Sequence, residues 1–347
     1  MIEKMILKKT LVVATVVAAA ASASALGEHP LPGSEVNARY ATDAYPGFDN
    51  EKEIINPERK EPKWFAFWNG PDKANAKEQF EYCKELCKER KFKKCAKQLD
   101  ALVREWPTSP EAPKAQRIYA EALLTELDDT EESFKQYRYL LDFYSSKCDY
   151  DAVADKMYQI ANLLKEEGKE VMFIRFANTV DVRRAYETCV LRAPGAKWVP
   201  EALLKIGGLR EDEGHYEEAV QVYENLRNLY PESAEAKTSY RKEAEDRMIM
   251  VRERGYNRER CRDTIGFLKL AQKNCPEADA EPIGALLAEV EAWLEEEAYL
   301  GAKFYDSPTR TKRSAINAYE RFLKNYPNSV HAEEIRQRIE ELKGEVK

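Results

Sequence analysis

The residues best placed to do chemistry are lysines set around a single ring. Lys77, Phe80, Lys84 and Lys88 recur at spacings of three and four, which on a helix puts them along one side. Three ammonium groups beside one ring suit an extended peptide ending in an aromatic residue and a carboxylate. Charge pairing would hold its terminus and ring burial its last side chain. Ile118 and Ala122 are the matching positions further along. The alternative is that these lysines are a solvated face. Constellations for catalysis are missing: there is no phosphate-cradling glycine loop, no nucleophile elbow and no H-E-x-x-H. Ser239-x2-Lys242 lies in a charged helical stretch without a companion motif. Seven cysteines contain no C-x2-C, and His29, His215 and His331 stand apart from one another and from the thiols. No metal and no cofactor are expected. The chemistry on offer is recognition, not reaction.

What must position these residues is a phrase that returns along the chain. It reads Tyr223-x2-Leu226-x3-Tyr230-Pro231-x-Ser233, and again Tyr319-x2-Phe322-x3-Tyr326-Pro327-x-Ser329. An earlier copy is Leu99-x2-Leu102-x3-Trp106-Pro107-x-Ser109, with weaker ones ending near 145, 194 and 276. Residues three apart share a helix face, and proline has neither the N–H nor the room to continue a helix. Each phrase is therefore the end of one amphipathic helix. The stretch from Glu201 to Pro231 resembles the tetratricopeptide (TPR) pattern without a gap: with Pro231 as position 32, Gly207 is position 8, Gly214 the turn and Ala219 position 20. Small residues at 8 and 20 allow the two helices of one hairpin to touch.

The expected fold is all-α, a right-handed α-solenoid of about six TPR-like hairpins. The terminators are more than 34 residues apart, so some helices or loops are lengthened. Long helical runs are expected from Glu235 to Arg254 and from Glu281 to Tyr305, and an inserted loop or short extra helix from Gly168 to Asp181. In the same register Cys83 is position 8 and Cys95 position 20 of the first repeat. They form a disulfide pair in an oxidising compartment, or serve as small apolar fillers. Cys189 is expected to pack in the core.

Three regions follow from composition. Residues 1–25 carry Lys4, Lys8 and Lys9 ahead of an apolar run from Leu11 to Ala21 and an A-x-A end, the pattern of a secretory signal peptide. An uncleaved anchor is the other reading. Its removal takes three lysines and one glutamate, leaving 52 basic against 61 acidic residues, a net charge of −9. Residues 26–74 are rich in Pro, Gly, Asn and charge without helical period, an extended, partly disordered leader. Within it Trp64, Phe65, Phe67 and Trp68 form a cluster that either caps the first hairpin or docks on a partner or a membrane interface. Residues 75–347 are the repeat domain. No basic tract or aromatic-basic alternation points to nucleic acid, and an acidic chain argues against it.

From about Lys73 to Lys343 the chain resembles the BamD-like (YfiO-type) family, helical-repeat components of the outer-membrane β-barrel assembly machinery. Three stretches carry the resemblance. The first runs from Phe92-x2-Cys95 to Trp106-Pro107-Thr108-Ser109-Pro110, with Ala112 and Ala115 beyond. The second runs from Arg262-Asp263-Thr264-Ile265 through Pro276 to Trp293 and Glu295. The third is Ala302-Lys303-Phe304-Tyr305 followed by Ala315-Ile316 and Tyr319-Glu320, ending Tyr326-Pro327. The resemblance implies a non-enzymatic periplasmic scaffold that receives unfolded barrel proteins in its N-terminal repeats and docks the barrel-forming subunit through its C-terminal ones. Two departures are plain. No lipobox cysteine follows the signal, since Cys83 is the first thiol, and the family has about five repeats where six are read here. The expected location is the periplasm or the periplasmic face of the outer membrane, held there by protein contacts. Another envelope adaptor, YbgF-like in the Tol–Pal system, would share every repeat feature. A peptidoglycan-acting helical domain would need a catalytic Glu on an appended domain, for which there is no candidate.

Overall fold

The computed structural model describes residues 70–345, apart from 171–174, 254 and 256. The signal segment and the aromatic cluster Trp64–Trp68 lie outside the described residues, as does most of the leader. The described residues form thirteen α-helices and no strand.

Six helix–turn–helix pairs follow one another. They are α1 (Ala76–Lys88) with α2 (Phe92–Glu105), α3 (Ala112–Glu126) with α4 (Thr130–Tyr144), and α5 (Tyr150–Glu170) with α6 (Arg175–Arg192). Next come α7 (Val199–Asp212) with α8 (Tyr216–Leu229), α9 (Ala234–Glu253) with α10 (Arg258–Asn274), and α11 (Glu277–Lys303) with α12 (Lys312–Asn325). A final helix, α13 (Ala332–Glu345), closes the series. The all-α class and the count of about six hairpins are found as expected. The stretch 168–181 differs from the expected inserted loop or short extra helix. Here α5 is helical to Glu170 and α6 starts at Arg175, so most of the insertion lengthens two helices.

The recurring phrase is a stop, a turn and a start. Trp106 leaves α2 at φ −124°, ψ 60°, and Tyr326 leaves α12 at φ −130°, ψ 66°, almost the same backbone. Each still donates its N–H to the carbonyl four residues back, and the proline that follows prevents a further turn. Two residues on, the serine folds back: the N–H of Ser109, Ser233 and Ser329 donates to the carbonyl of Trp106, Tyr230 and Tyr326. Its hydroxyl then accepts from the next segment, Ser109 Oγ from Ala112 N at 3.2 Å and Ser233 Oγ from Ala236 N at 3.1 Å. These bonds satisfy amides that a new helix leaves without a partner. Inside four of the hairpins the turn has a left-handed residue. Gly214 supplies it at φ 78°, with His215 N donating to Arg210 O. In the first hairpin Arg90 takes that conformation at φ 58°.

The described helices fall into two compact units, divided between Glu218 and Ala219 inside α8. In the first, each of α1 to α7 packs on its neighbours in order around Leu99, Leu102, Leu140, Leu141, Met157, Ile160 and Leu203, all about 1% exposed or less. Cys189 is buried there too, as expected. Several buried polar side chains are paired across the helices. Gln79 Nε2 donates to Gln98 Oε1 at 2.7 Å, and the next hairpin repeats the device between Gln116 and Gln136 at 2.8 Å. Arg192 forks onto Asp142, and Arg183 joins Glu187 to Glu213. In the second unit α11 has two partners. Its first half, with Ile283 and Val290, packs with Ala244, Met248, Cys261 and Leu268 of the preceding pair. Its second half, with Tyr299 and Ala302, packs with Tyr319, Phe322, Ile335 and Ile339. Glu243 is fully buried between Arg227 and Arg247, and burial pushes its carboxyl up although both guanidinium groups pull it down.

The expected Cys83–Cys95 pairing is corrected. Cys95 is bonded to Cys87, with Cα atoms 5.7 Å apart, and Cys83 is a buried free thiol. The close contact itself is where the register put it, since Cys95 Sγ lies 3.2 Å from the Cys83 carbonyl oxygen. Side chains on a helix lean toward its N-terminus, so in an antiparallel hairpin Cys83 leans away from the turn and Cys95 toward it. The thiol that Cys95 meets is the one a turn closer to the loop. Non-reducing peptide mapping is expected to recover Cys87 linked to Cys95 and Cys83 unlinked. Cys87→Ser should lower stability in urea by about 2.5 kcal/mol, the entropy of so short a closed loop.

Candidate functional site

The expected groove on the first helices is corrected by burial and pairing. Phe80 is 6% exposed, because it stands three residues before Cys83 on the face of α1 that meets α2. Ile118 and Ala122 are buried as well. Lys84 lies 5.3 Å from the Phe80 ring, but its ammonium is 2.6 Å from Glu81. Lys88 is paired with Glu85 at 2.9 Å, and Lys77 is exposed. The i, i+3 glutamates neutralise the charge that was to meet a carboxylate. Ser239, the other residue singled out, is buried: its hydroxyl donates to Ala236 O and accepts from Arg227. A hydroxyl so tied is no nucleophile.

In the first unit the polar and aromatic groups converge instead between α5 and α7. Trp198, just ahead of α7, stacks on Tyr158 at 4.6 Å and 6° and donates its indole N–H to Asp155 Oδ1 at 2.7 Å. Lys205 donates to the Tyr158 hydroxyl at 3.0 Å and to Asn162 Oδ1 at 2.7 Å, and pairs with Glu201 at 2.7 Å. Tyr186 of α6 donates to the same Asn162 oxygen at 2.7 Å. The hydrogen bond from Lys205 holds the Glu201 carboxyl below its usual range, while burial first, and Glu201 second, push the Tyr158 phenol up. An ammonium can only donate, so the atom of Asn162 facing it is the carbonyl oxygen. The amide NH2 of Asn162 is therefore turned the other way and has no partner among the described residues.

The second unit has a surface of another kind. At the end of α11, Leu300 is 56% exposed, Phe304 62% and Tyr305 41%. Arg310, in the turn that follows, lies over both rings, 4.3 Å from Phe304 and 5.0 Å from Tyr305. No carboxylate among the described residues pairs with Arg310. Large apolar side chains left outside in a group, with a cation across them, mark a place where another polypeptide can bind. A cleft of about 320 Å³ opens nearby between Tyr299, Lys303, Asp306, Tyr319, Glu334 and Arg338. Its charges answer one another: Arg338 forks onto Asp306 at 2.8 and 3.1 Å, and Tyr319 donates to Asp306 as well. This network fastens α13 to the turn after α11.

Sequence reasoning missed both surfaces. The third hairpin is lengthened, so no repeat register reached Tyr158 or Asn162, and only Trp198 ahead of Val199-Pro200 was a local signal. Phe304 and Tyr305 carry part of the family resemblance in the sequence, but nothing local marks them as exposed.

Phe304→Ala should shift stability by no more than about 0.5 kcal/mol, as at an exposed site, whereas Phe322→Ala, at 3% exposure, should cost about 3–5 kcal/mol in urea unfolding. The pH dependence of stability tests the Asp306 network. The hydrogen bond from Arg338 holds the Asp306 carboxyl below its usual 3.8, so its contribution is present above about pH 4 and lost as the pH falls through the folded value. Asp306→Asn should remove that component and flatten the acid limb of the curve.

Two segments, 201–233 and 301–329, match the tetratricopeptide repeat family. They coincide with the α7–α8 pair and with the end of α11 through α12. No curated protein matches the chain. Among solved structures, it is similar to a tetratricopeptide repeat protein from Parabacteroides merdae, at 13% identity over 77% of this chain and 98% of that one, with a TM-score of 0.28. It is also similar to the C-terminal part of a TPR repeat-containing protein from Cytophaga hutchinsonii, at 14% identity over 74% and 98%, with a TM-score of 0.21. The two matched segments, each within a helix pair of the consecutive series, are similar to tetratricopeptide repeats, a family whose domains generally bind proteins or peptides.

Proposed function

We propose that the chain is a non-enzymatic, exported scaffold of the cell envelope, similar to BamD-like proteins, that holds unfolded outer-membrane proteins or subunits of the β-barrel assembly machinery. The observation that carries this reading is the patch of Leu300, Phe304 and Tyr305 on the last hairpin, exposed although the fold has a core into which such side chains normally go. A basic-edged aromatic surface of this kind suits a folded partner subunit. The face between α5 and α7, with the Asn162 amide and the Trp198 ring, suits an extended peptide, whose main-chain carbonyls need donors and whose side chains need flat apolar surface. The expected export signal in residues 1–25 and the Cys87–Cys95 bond both favour an oxidising compartment outside the cytoplasm. Among the described residues no helix is long and apolar enough to cross a membrane.

Affinity purification of the full chain from envelope extracts is expected to recover barrel-assembly subunits. Phe304→Ala with Arg310→Glu should lose them while leaving the thermal midpoint within about 2 °C of the parent. Recovery of Tol–Pal components in their place, or retention of the same partners by the double variant, would reject the assignment. Titration with a peptide ending in an aromatic residue should change Trp198 fluorescence, and Asn162→Ala should weaken that binding by roughly tenfold, the worth of one buried hydrogen bond.

A further inference from the structure

Among the described residues of the second unit, Arg227, Arg247 and Arg310 lie over aromatic rings, and the third differs from the other two. Arg227 lies 4.6 Å from the Tyr240 ring and 5.5 Å from Phe267, and it donates to the Glu243 carboxylate. Arg247 lies 4.7 Å from Phe267 and donates to Glu243 at 2.6 Å and to Glu224 at 2.9 Å. In both, rings and a carboxylate share one guanidinium. Arg310 has its rings, Phe304 and Tyr305, and no acid.

The acids nearest to it in the chain are engaged elsewhere. Asp306 accepts from Arg338 at 2.8 Å and from Tyr319 at 3.1 Å. Glu297, the acid before that, accepts from Arg258 at 3.0 Å. Glu320, the first acid after Arg310, lies 4.0 Å from Lys343. The arginine is nevertheless held in place. Its backbone N–H donates to the Ser307 carbonyl at 3.0 Å, the Ser307 and Thr309 hydroxyls are 2.9 Å apart, and Pro308 between them has a fixed φ. Thr311 then caps α12, accepting from Ser314 N at 3.3 Å. A guanidinium carries its donors in its own plane, so rings against its face leave the edge open to a carboxylate. It also sheds water more readily than an ammonium, which lowers the cost of covering it. Leu300, one turn before Phe304 and 56% exposed, extends the apolar surface by about 6 Å along the helix axis.

We propose that Arg310 receives an aspartate or glutamate side chain of the partner protein, with an apolar side chain beside that acid resting on Leu300 and Phe304. The pairing rests on the reading of this patch as a partner surface, and it adds the chemistry that the partner must bring. The molecule completes the same arrangement with its own residues at Arg227 and at Arg247. Apolar contact alone would accept any hydrophobic surface. The arginine selects one with an acid at the right spacing and repels a basic one.

The test uses the full chain and two helical peptides with blocked termini, one carrying Glu a helix turn from Leu and the other Gln in its place. The Glu peptide should bind about tenfold more tightly, the worth of a hydrogen bond to a charged group, and the difference should shrink as salt is raised. Arg310→Gln should abolish that preference with a thermal midpoint within about 2 °C of the parent, as at an exposed site, and Phe304→Ala should weaken both peptides. Equal binding of the two peptides by the parent, binding of neither, or a preference that survives in Arg310→Gln would overturn the proposal. So would tighter binding of the Gln peptide with a free C-terminus than of the blocked Glu peptide, which would give the site to a terminal carboxylate. Preference for the Glu peptide without recovery of barrel-assembly subunits would reject the envelope assignment and keep this pairing. Recovery of those subunits by the parent and by Arg310→Gln alike would reject this pairing alone.

Discussion

An amphipathic helical hairpin cannot bury its apolar surface alone, and everything else in this molecule answers to that constraint. Each pair of helices has one seam within itself and a flank on either side, and burial of a flank needs a neighbour in sequence. Inside each unit the helices therefore pack in order. The long helix α11 shows the rule at its limit, because one half completes the pair before it and the other half begins the pair it forms with α12. The aromatic-Pro-x-Ser phrase exists to serve the stacking. It ends a helix sharply enough for the next to turn back, and its serine satisfies amides that the new helix leaves open.

Apolar seams of similar helices are not selective, and the buried polar groups restrict how they fit. The glutamine pair Gln79–Gln98 is repeated as Gln116–Gln136 one hairpin later. Asp142 with Arg192, and Glu243 between Arg227 and Arg247, place charges where a displaced helix would leave one partner alone in the core. That penalty is several kcal/mol, more than one apolar contact contributes. The same economy of partners distinguishes the two candidate surfaces. Many polar side chains answer one another across or along the helices, whereas the Asn162 amide and the rings under Arg310 are left without such a match.

The sequence by itself determined the helical class, the number of hairpins, the places where helices stop and the small residues at hairpin contacts, because each depends on residues a few positions apart. It brought Cys83 and Cys95 to the right contact. It did not show that the lean of side chains along two antiparallel helices hands Cys95 to Cys87 instead. It read Phe80 as one side of a groove, although its spacing to Cys83 turned the ring into the seam. The charges of Lys84 and Lys88 were already cancelled by Glu81 and Glu85 three residues earlier, a local relation that a search for basic residues passes over. Only the tertiary structure decided the meeting of Tyr158, Asn162, Trp198 and Lys205, which come from separate helices across a lengthened hairpin without repeat register. It alone left Phe304 uncovered while Phe322, in an equally apolar stretch, was buried. Periodicity specifies which face of a helix is apolar, but what comes to lie against that face depends on where the neighbouring helices end.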